Sequence, residues 1–191
     1  MLFDDEMIAP SRKNTNNEWY TPPIYIESAR LAMGSIDLDP ASSIQANQRV
    51  RAGCYYTKDD NGLAHLWFGN VWCNPPYTQE FKGHSSIKPW VEKAIQSYEN
   101  GSITSAILLI PNDTSTRWFG SLWRYLVCFP SKRIQFDILG KRKREQPTFG
   151  TCFVYLGPHE DRFIEIFSRF GHVVKSVSAP RSPAHEQPTL W

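Results

Sequence analysis

In the stretch Gly69-Asn70-Val71-Trp72-Cys73-Asn74-Pro75-Pro76-Tyr77 an apolar run ends abruptly at two prolines. Val71 to Cys73 has the composition of a short buried strand. The prolines after Asn74 remove the next ladder donors and oppose an immediate helix. The strand therefore ends in a stiff, extended loop. That leaves the Asn74 amide, the carbonyls after it and the Tyr77 ring at the carboxyl edge of a sheet, where open α/β folds hold their ligands. An amide oxygen and a prolyl carbonyl can accept from one amino group while an aromatic ring lies on a flat heterocycle. Together they form a clamp suited to the exocyclic amine of a base.

Upstream, Ile36-Asp37-Leu38-Asp39-Pro40-Ala41 alternates apolar and acidic residues before a proline, the pattern of a short strand running into a turn. Thr21-Pro22-Pro23 precedes a helical pattern that Gly34 stops, with Thr21 in a cap-like place. Cys54 to Thr57 is a second short strand. Lys58-Asp59-Asp60-Asn61-Gly62-Leu63 is a turn whose side chains can bond their own backbone. Downstream, Ile87, Trp90, Val91, Ala94, Ile95 and Tyr98 form the apolar face of a helix ended by Asn100-Gly101, and Ser105 to Ile110 is a buried strand closed by Pro111. Strand, helix and strand in this order imply a parallel crossover. Asp113 or Thr114 is expected to cap a helix carrying Trp118, Phe119, Leu122, Tyr125 and Leu126. Arg133 to Phe136 and Phe149 to Leu156 read as strands, Arg162 to Phe170 as a helix, and Val173-Val174 as the last strand.

The 191 residues fit one domain, expected over 18–177, between a loose arm at 1–17 and a Pro-containing tail at 178–191. Hydrophobic content of 41% and charged content of 21% exclude wholesale disorder. A net charge of +2 says little about a partner until its distribution is considered. Residues 131–150 carry six positive charges against two negative, a local balance of +4 that exceeds the whole chain's, and Lys141-Arg142-Lys143-Arg144 supplies most of it. That run is expected to contact nucleic-acid phosphates. Cys54, Cys73, Cys128 and Cys152 are widely spaced, with no Cys-x-x-Cys pair and no zinc half-site, so no metal is expected. The acidic start, Met1 to Glu6, and the lack of any long apolar run lead to the expectation of a cytoplasmic protein away from membranes.

Asn74-Pro75-Pro76-Tyr77 after a hydrophobic strand resembles the catalytic motif of amino-methyltransferases, and the pattern from Trp19 to Leu156 is similar to that of the phage-type DNA N6-adenine methyltransferases. The resemblance implies a class I, Rossmann-like methyltransferase fold, a mostly parallel sheet with helices on both faces. It also implies methyl transfer from S-adenosylmethionine to the N6 amine of adenine in double-stranded DNA, with the base flipped out, in the cytoplasm of a bacterial host if the protein is phage-encoded. Asn74, Pro75, Pro76 and Tyr77 would form the catalytic clamp. Thr21 and Pro22 would help hold the donor's carboxylate, Asp39-Pro40-Ala41 would be the donor-binding loop, and Asp60 would contact the donor's adenosine. Two departures stand out: the glycine expected soon after Ala41 is replaced by Ser42-Ser43-Ile44-Gln45, and Asn61 is an extra residue in the Asp-Gly-Leu pattern at Asp60. The same clamp suits cytosine N4, RNA adenine or a glutamine amide, and the missing glycine keeps open a non-catalytic nucleic-acid-binding protein with a degenerate methyltransferase fold.

Overall fold

Strand and helix periods alternate along the chain, and the computed structural model, which describes residues 19–77, 79–80, 84–85, 87–138 and 146–176, folds them in that order. The short strand β1 (Trp19–Tyr20) leads into helix α1 (Pro23–Met33), followed by β2 (Leu38–Asp39), α2 (Ile44–Val50), β3 (Cys54–Tyr55) and β4 (Gly69–Cys73). A two-strand ribbon, β5 (Gln79–Glu80) and β6 (His84–Ser85), precedes α3 (Ile87–Glu99) and the long strand β7 (Ile103–Pro111). Helix α4 (Arg117–Gly120), β8 (Leu126–Pro130), β9 (Asp137–Ile138), β10 (Thr151–Leu156), α5 (Glu160–Phe167) and β11 (Gly171–Val174) complete the order. The expected arm and tail lie outside the described residues, as does the Lys141-Arg142-Lys143-Arg144 run.

Seven strands form one sheet in the order β11-β8-β10-β7-β4-β2-β3. The ladders from β3 through β2 and β4 to β7 are parallel; those from β7 through β10 and β8 to β11 are antiparallel. The sheet is therefore mixed, and the parallel character expected for most of it is confined to one half. The period-2 alternation divides the core cleanly. Val71, Cys73, Ala106, Leu108 and Ile110 face α3 and α4, whereas Trp72, Ile107, Leu109, Phe153 and Tyr155 face α1 and α5. Helices thus cover both faces of the sheet.

Three local expectations are corrected. Thr21 does not cap α1: Pro23 holds the residue before it out of the helical region, so Pro22 is extended (φ −57°, ψ 139°) and the helix starts one residue later than the Thr-Pro pair suggests. Instead of a helix from Asp113 to Leu126, α4 is a single turn capped by Thr116, and Leu126 opens β8. The long apolar stretch mixes two elements, because the Leu126-Val127-Cys128-Phe129 run bounded by Pro130 finds a ladder beside β10 and β11. In the segment expected as a strand over Arg133–Phe136, Ile134 and Phe136 are buried, but pairing with Trp19 and Tyr20 begins only at Asp137.

Helix α2 has no counterpart in the expectations. Ser43 caps it by accepting from the Ala46 N–H at 3.1 Å, so residues that lack the expected glycine start a helix instead.

Candidate active site

The helix after β2 packs toward the α1 and α5 side through Val50, and the helix after β4 packs on the opposite side through Ile87, Trp90 and Val91. The neighbouring strands β2 and β4 thus send their connections to opposite faces, and a crevice opens at their carboxyl ends. Asp39 ends one strand and Asn74 follows the other. A cavity of about 790 Å³ occupies this crevice, within the usual range for a small-molecule site. Thr21, Asp39, Pro40, Ala41, Asn74, Pro75, Pro76 and Tyr77 all line it, so the fold brings together residues separated by up to 56 positions in sequence.

Asp39 is 3% exposed, and among the described residues no Lys or Arg forms an ion pair with it. Its Oδ1 accepts from the Ala41 N–H at 3.2 Å. Burial pushes its carboxyl up to about 7, against the opposing pull of the Ser42 hydroxyl and the Ala41 N–H. The Ser42 Oγ is near enough to favour the charged form yet makes no well-formed hydrogen bond, so a buried polar atom on the cavity wall lacks a partner. A buried acid without a cation and an unsatisfied hydroxyl side by side suit a ligand that carries an ammonium group.

Asn74 sits between two hydroxyls. Its Nδ2 is 3.3 Å from Thr21 Oγ1, and its Oδ1 is 2.6 Å from Tyr77 Oη. The Tyr77 hydroxyl is also 2.8 Å from the Leu109 carbonyl oxygen, and burial holds it well above the usual tyrosine range, so it keeps its proton. The Tyr77 ring meets the Phe149 ring edge-on, with centroids 5.6 Å apart.

Asp60 and Pro22 do not line the cavity. The Asp60 Oδ2 accepts from the Thr57 N–H at 2.8 Å and the Thr57 hydroxyl at 2.7 Å; these bonds hold its carboxyl below the usual range and leave it as a turn-forming residue at the surface. Its neighbours Asn61 and Gly62 do reach the cavity. His65 stacks on Tyr56 with centroids 4.3 Å apart while remaining exposed.

Four lining residues are not among the expected site residues. Arg49 pairs with Asp137 of β9 and stands over the Tyr20 ring, tying α2 to the β1–β9 ribbon across one wall. Phe149 supplies a half-exposed aromatic face. Gly62 packs so closely on the Asp39-Pro40-Ala41 loop that a Cβ there would lie 1.9 Å from the Pro40 carbonyl oxygen. Ser42 contributes the unsatisfied hydroxyl. For Gly62 the available signal is its place in the Asp60-Asn61-Gly62-Leu63 turn, where a glycine permits close backbone approach.

Among the described residues no group of three His, Cys, Asp or Glu is placed to hold a metal, and no helix is long and apolar enough to cross a membrane. A family model described as DNA N-6-adenine-methyltransferase (Dam) matches residues 9–167, most of the chain. No curated protein and no solved structure matches it.

Proposed function

The chain belongs to the DNA N-6-adenine-methyltransferase (Dam) family, and from that premise we propose that the cavity between β2 and β4 holds S-adenosylmethionine beside an adenine drawn out of duplex DNA. As a member of this family the protein is an adenine-specific DNA methyltransferase. The convergence of Asp39 and Asn74 on one cavity from adjacent parallel strands carries the assignment of roles. It is the arrangement expected of a class I, Rossmann-like methyltransferase.

Asp39, with Ser42 beside it, is suited to the ammonium group of the donor, and Ala41 and Gly62 let the donor lie close to backbone. Thr21 lines the cavity beside Asn74, which supports a role for it at the donor's carboxylate. When bound, the donor supplies a methyl group on a positively charged sulfur, an electrophile that needs no activation by the protein. The chain's task is the nucleophile. The N6 lone pair of adenine is delocalised into the ring, so the amine must be drawn toward a tetrahedral geometry. Hydrogen bonds from the amine to the Asn74 side-chain oxygen and the Pro75 carbonyl do this and aim the lone pair at the methyl group. The rings of Tyr77 and Phe149 offer apolar faces for the extruded base. Lys141, Arg142, Lys143 and Arg144 are proposed to grip phosphates. The described residues flanking their segment support this, since Ile138 pairs with Trp19 at one end and Gln146 lines the cavity at the other.

Nucleoside mass spectrometry of DNA incubated with the protein and S-adenosylmethionine tests the reading. The expected product is N6-methyladenine; N4-methylcytosine would move the acceptor, and an unmodified digest from protein that binds donor and DNA would overturn the catalytic assignment.

A further inference from the structure

The Tyr77 hydroxyl lies within hydrogen-bond distance of two oxygens, Asn74 Oδ1 at 2.6 Å and the Leu109 carbonyl at 2.8 Å. A phenol has one proton, and a backbone carbonyl can only accept. With Asn74 turned this way, one of the two contacts is oxygen against oxygen with no proton between. On the other side Asn74 Nδ2 donates to Thr21 Oγ1, and the Thr21 hydroxyl proton has no acceptor in that contact. Half a turn of the amide exchanges its oxygen and nitrogen, and the surrounding partners decide between the two orientations. After that turn each of these contacts has one donor and one acceptor: Tyr77 donates to Leu109 O and accepts from Asn74 Nδ2, while Thr21 donates to Asn74 Oδ1, and a shift of the amide toward Thr21 by roughly 0.3 Å brings both distances into the usual range.

We propose that Tyr77 is a positioning residue through its hydroxyl: anchored on the Leu109 carbonyl of β7, it binds the amide nitrogen of Asn74 and so keeps the amide oxygen turned toward Thr21 and the cavity. The inference rests on the reading of Asn74 as acceptor for the target amine. The oxygen has two lone pairs, one taken by Thr21 and one left for that amine. Without the anchor the amide can present its nitrogen instead, and two N–H donors then face each other. The Tyr77 hydroxyl is buried and stays protonated, so the anchor holds across the neutral range. The ring remains available to the base because the hydroxyl alone makes the link. Leu109 belongs to the strand next to β4, so the orientation of Asn74 is fixed by the sheet itself.

The test combines single-turnover methylation at saturating donor and DNA with amide exchange of the Asn side chains in protein labelled with 15N-asparagine. The Asn74 signals are identified by their loss in Asn74→Ala. Tyr77→Phe is expected to lower the single-turnover rate at least tenfold with donor and DNA affinities within about twofold of the parent, and to speed exchange of the Asn74 amide protons. Thr21→Val is expected to leave that exchange slow. A Tyr77→Phe rate equal to the parent's, or Asn74 exchange that responds to Thr21→Val and not to Tyr77→Phe, overturns the positioning role and leaves the amine clamp standing if Asn74→Ala remains inactive. An Asn74→Ala protein with the parent rate removes the clamp on which the inference rests.

Discussion

At Asn74 and Asp39 the same carbonyl-type oxygens serve different ends because their surroundings differ. Asn74 is neutral and held between two hydroxyls, so its contribution is directional. Asn74→Ala removes the proposed acceptor, which would matter most as the adenine nitrogen becomes tetrahedral. Single-turnover rates should fall by about 10²-fold or more while donor and DNA affinities, measured separately, stay near the parent's. Asp39 is buried with no ion-pairing Lys or Arg among the described residues, and its carboxyl is pushed up to about 7. Because the folded value lies above the unfolded one, the carboxyl favours the free protein at pH below about 4, and this contribution is lost as pH rises through about 7. Asp39→Asn should therefore stabilise the ligand-free protein relative to the parent at pH 8, by roughly 4 kcal/mol, and much less at pH 4, as read by denaturant unfolding. A donor ammonium reverses the preference by favouring the carboxylate. Donor affinity of the parent should then rise with pH up to about 8, with proton release detectable by calorimetry in buffers of different ionisation enthalpy. Equal affinities at pH 6 and pH 8 would remove Asp39 from the ammonium site. Sequence placed Asn74, Asp39 and Tyr77 at strand ends, but it gave the Tyr77 hydroxyl no task. Its partner Leu109 lies 32 residues away on another strand.

At the scale of elements, the Asp39-Pro40-Ala41 loop is held by contacts between segments. Ser43 caps α2, Gly62 lies against Pro40, and the Trp67 indole N–H donates to the Gly62 carbonyl at 2.9 Å. Gly62→Ala would drive a methyl group into the Pro40 carbonyl and displace the 57–63 turn from the loop. Its cost should be roughly 1–3 kcal/mol in thermal or denaturant unfolding, together with weaker donor binding. Parent-like stability and affinity would mean that the turn moves aside freely. Most strands and helices were legible from period and punctuation: α1 and α3 by their apolar faces and stops, β4 and β7 by apolar runs ended by prolines. The misread elements share a cause. Tyr125-Leu126-Val127-Cys128 continues an apolar series that suits a helix face or a strand equally well, and only the free edge of β10 makes it a strand. At Asp137–Ile138 two residues become a strand because β1 is there to pair with them.

At the scale of the whole molecule, a net charge of +2 hides an uneven distribution, and the basic residues 141–144 are expected to supply the sequence-independent part of DNA binding. Replacing Lys141, Arg142, Lys143 and Arg144 by Gln should weaken binding to all duplexes similarly and flatten its salt dependence, by up to about 0.9 in slope per lost phosphate contact, with donor affinity unchanged. A variant with the parent salt slope would make the run a solvated turn. The sequence by itself determined the α/β class, the strand that ends in Asn74-Pro75-Pro76-Tyr77 and the acid at the end of β2, because prolines, apolar periods and strand-end polar residues act locally and need no partner to be read. Tertiary structure alone decided that the sheet is half parallel and half antiparallel, that Asp60 turns onto Thr57 while Gly62 meets Pro40, and that Arg49 closes a wall with Asp137. Each of these depends on which distant segment arrives alongside, and ladder direction, close approach and ion pairing are properties of the two partners together, which neither segment carries in its own residues.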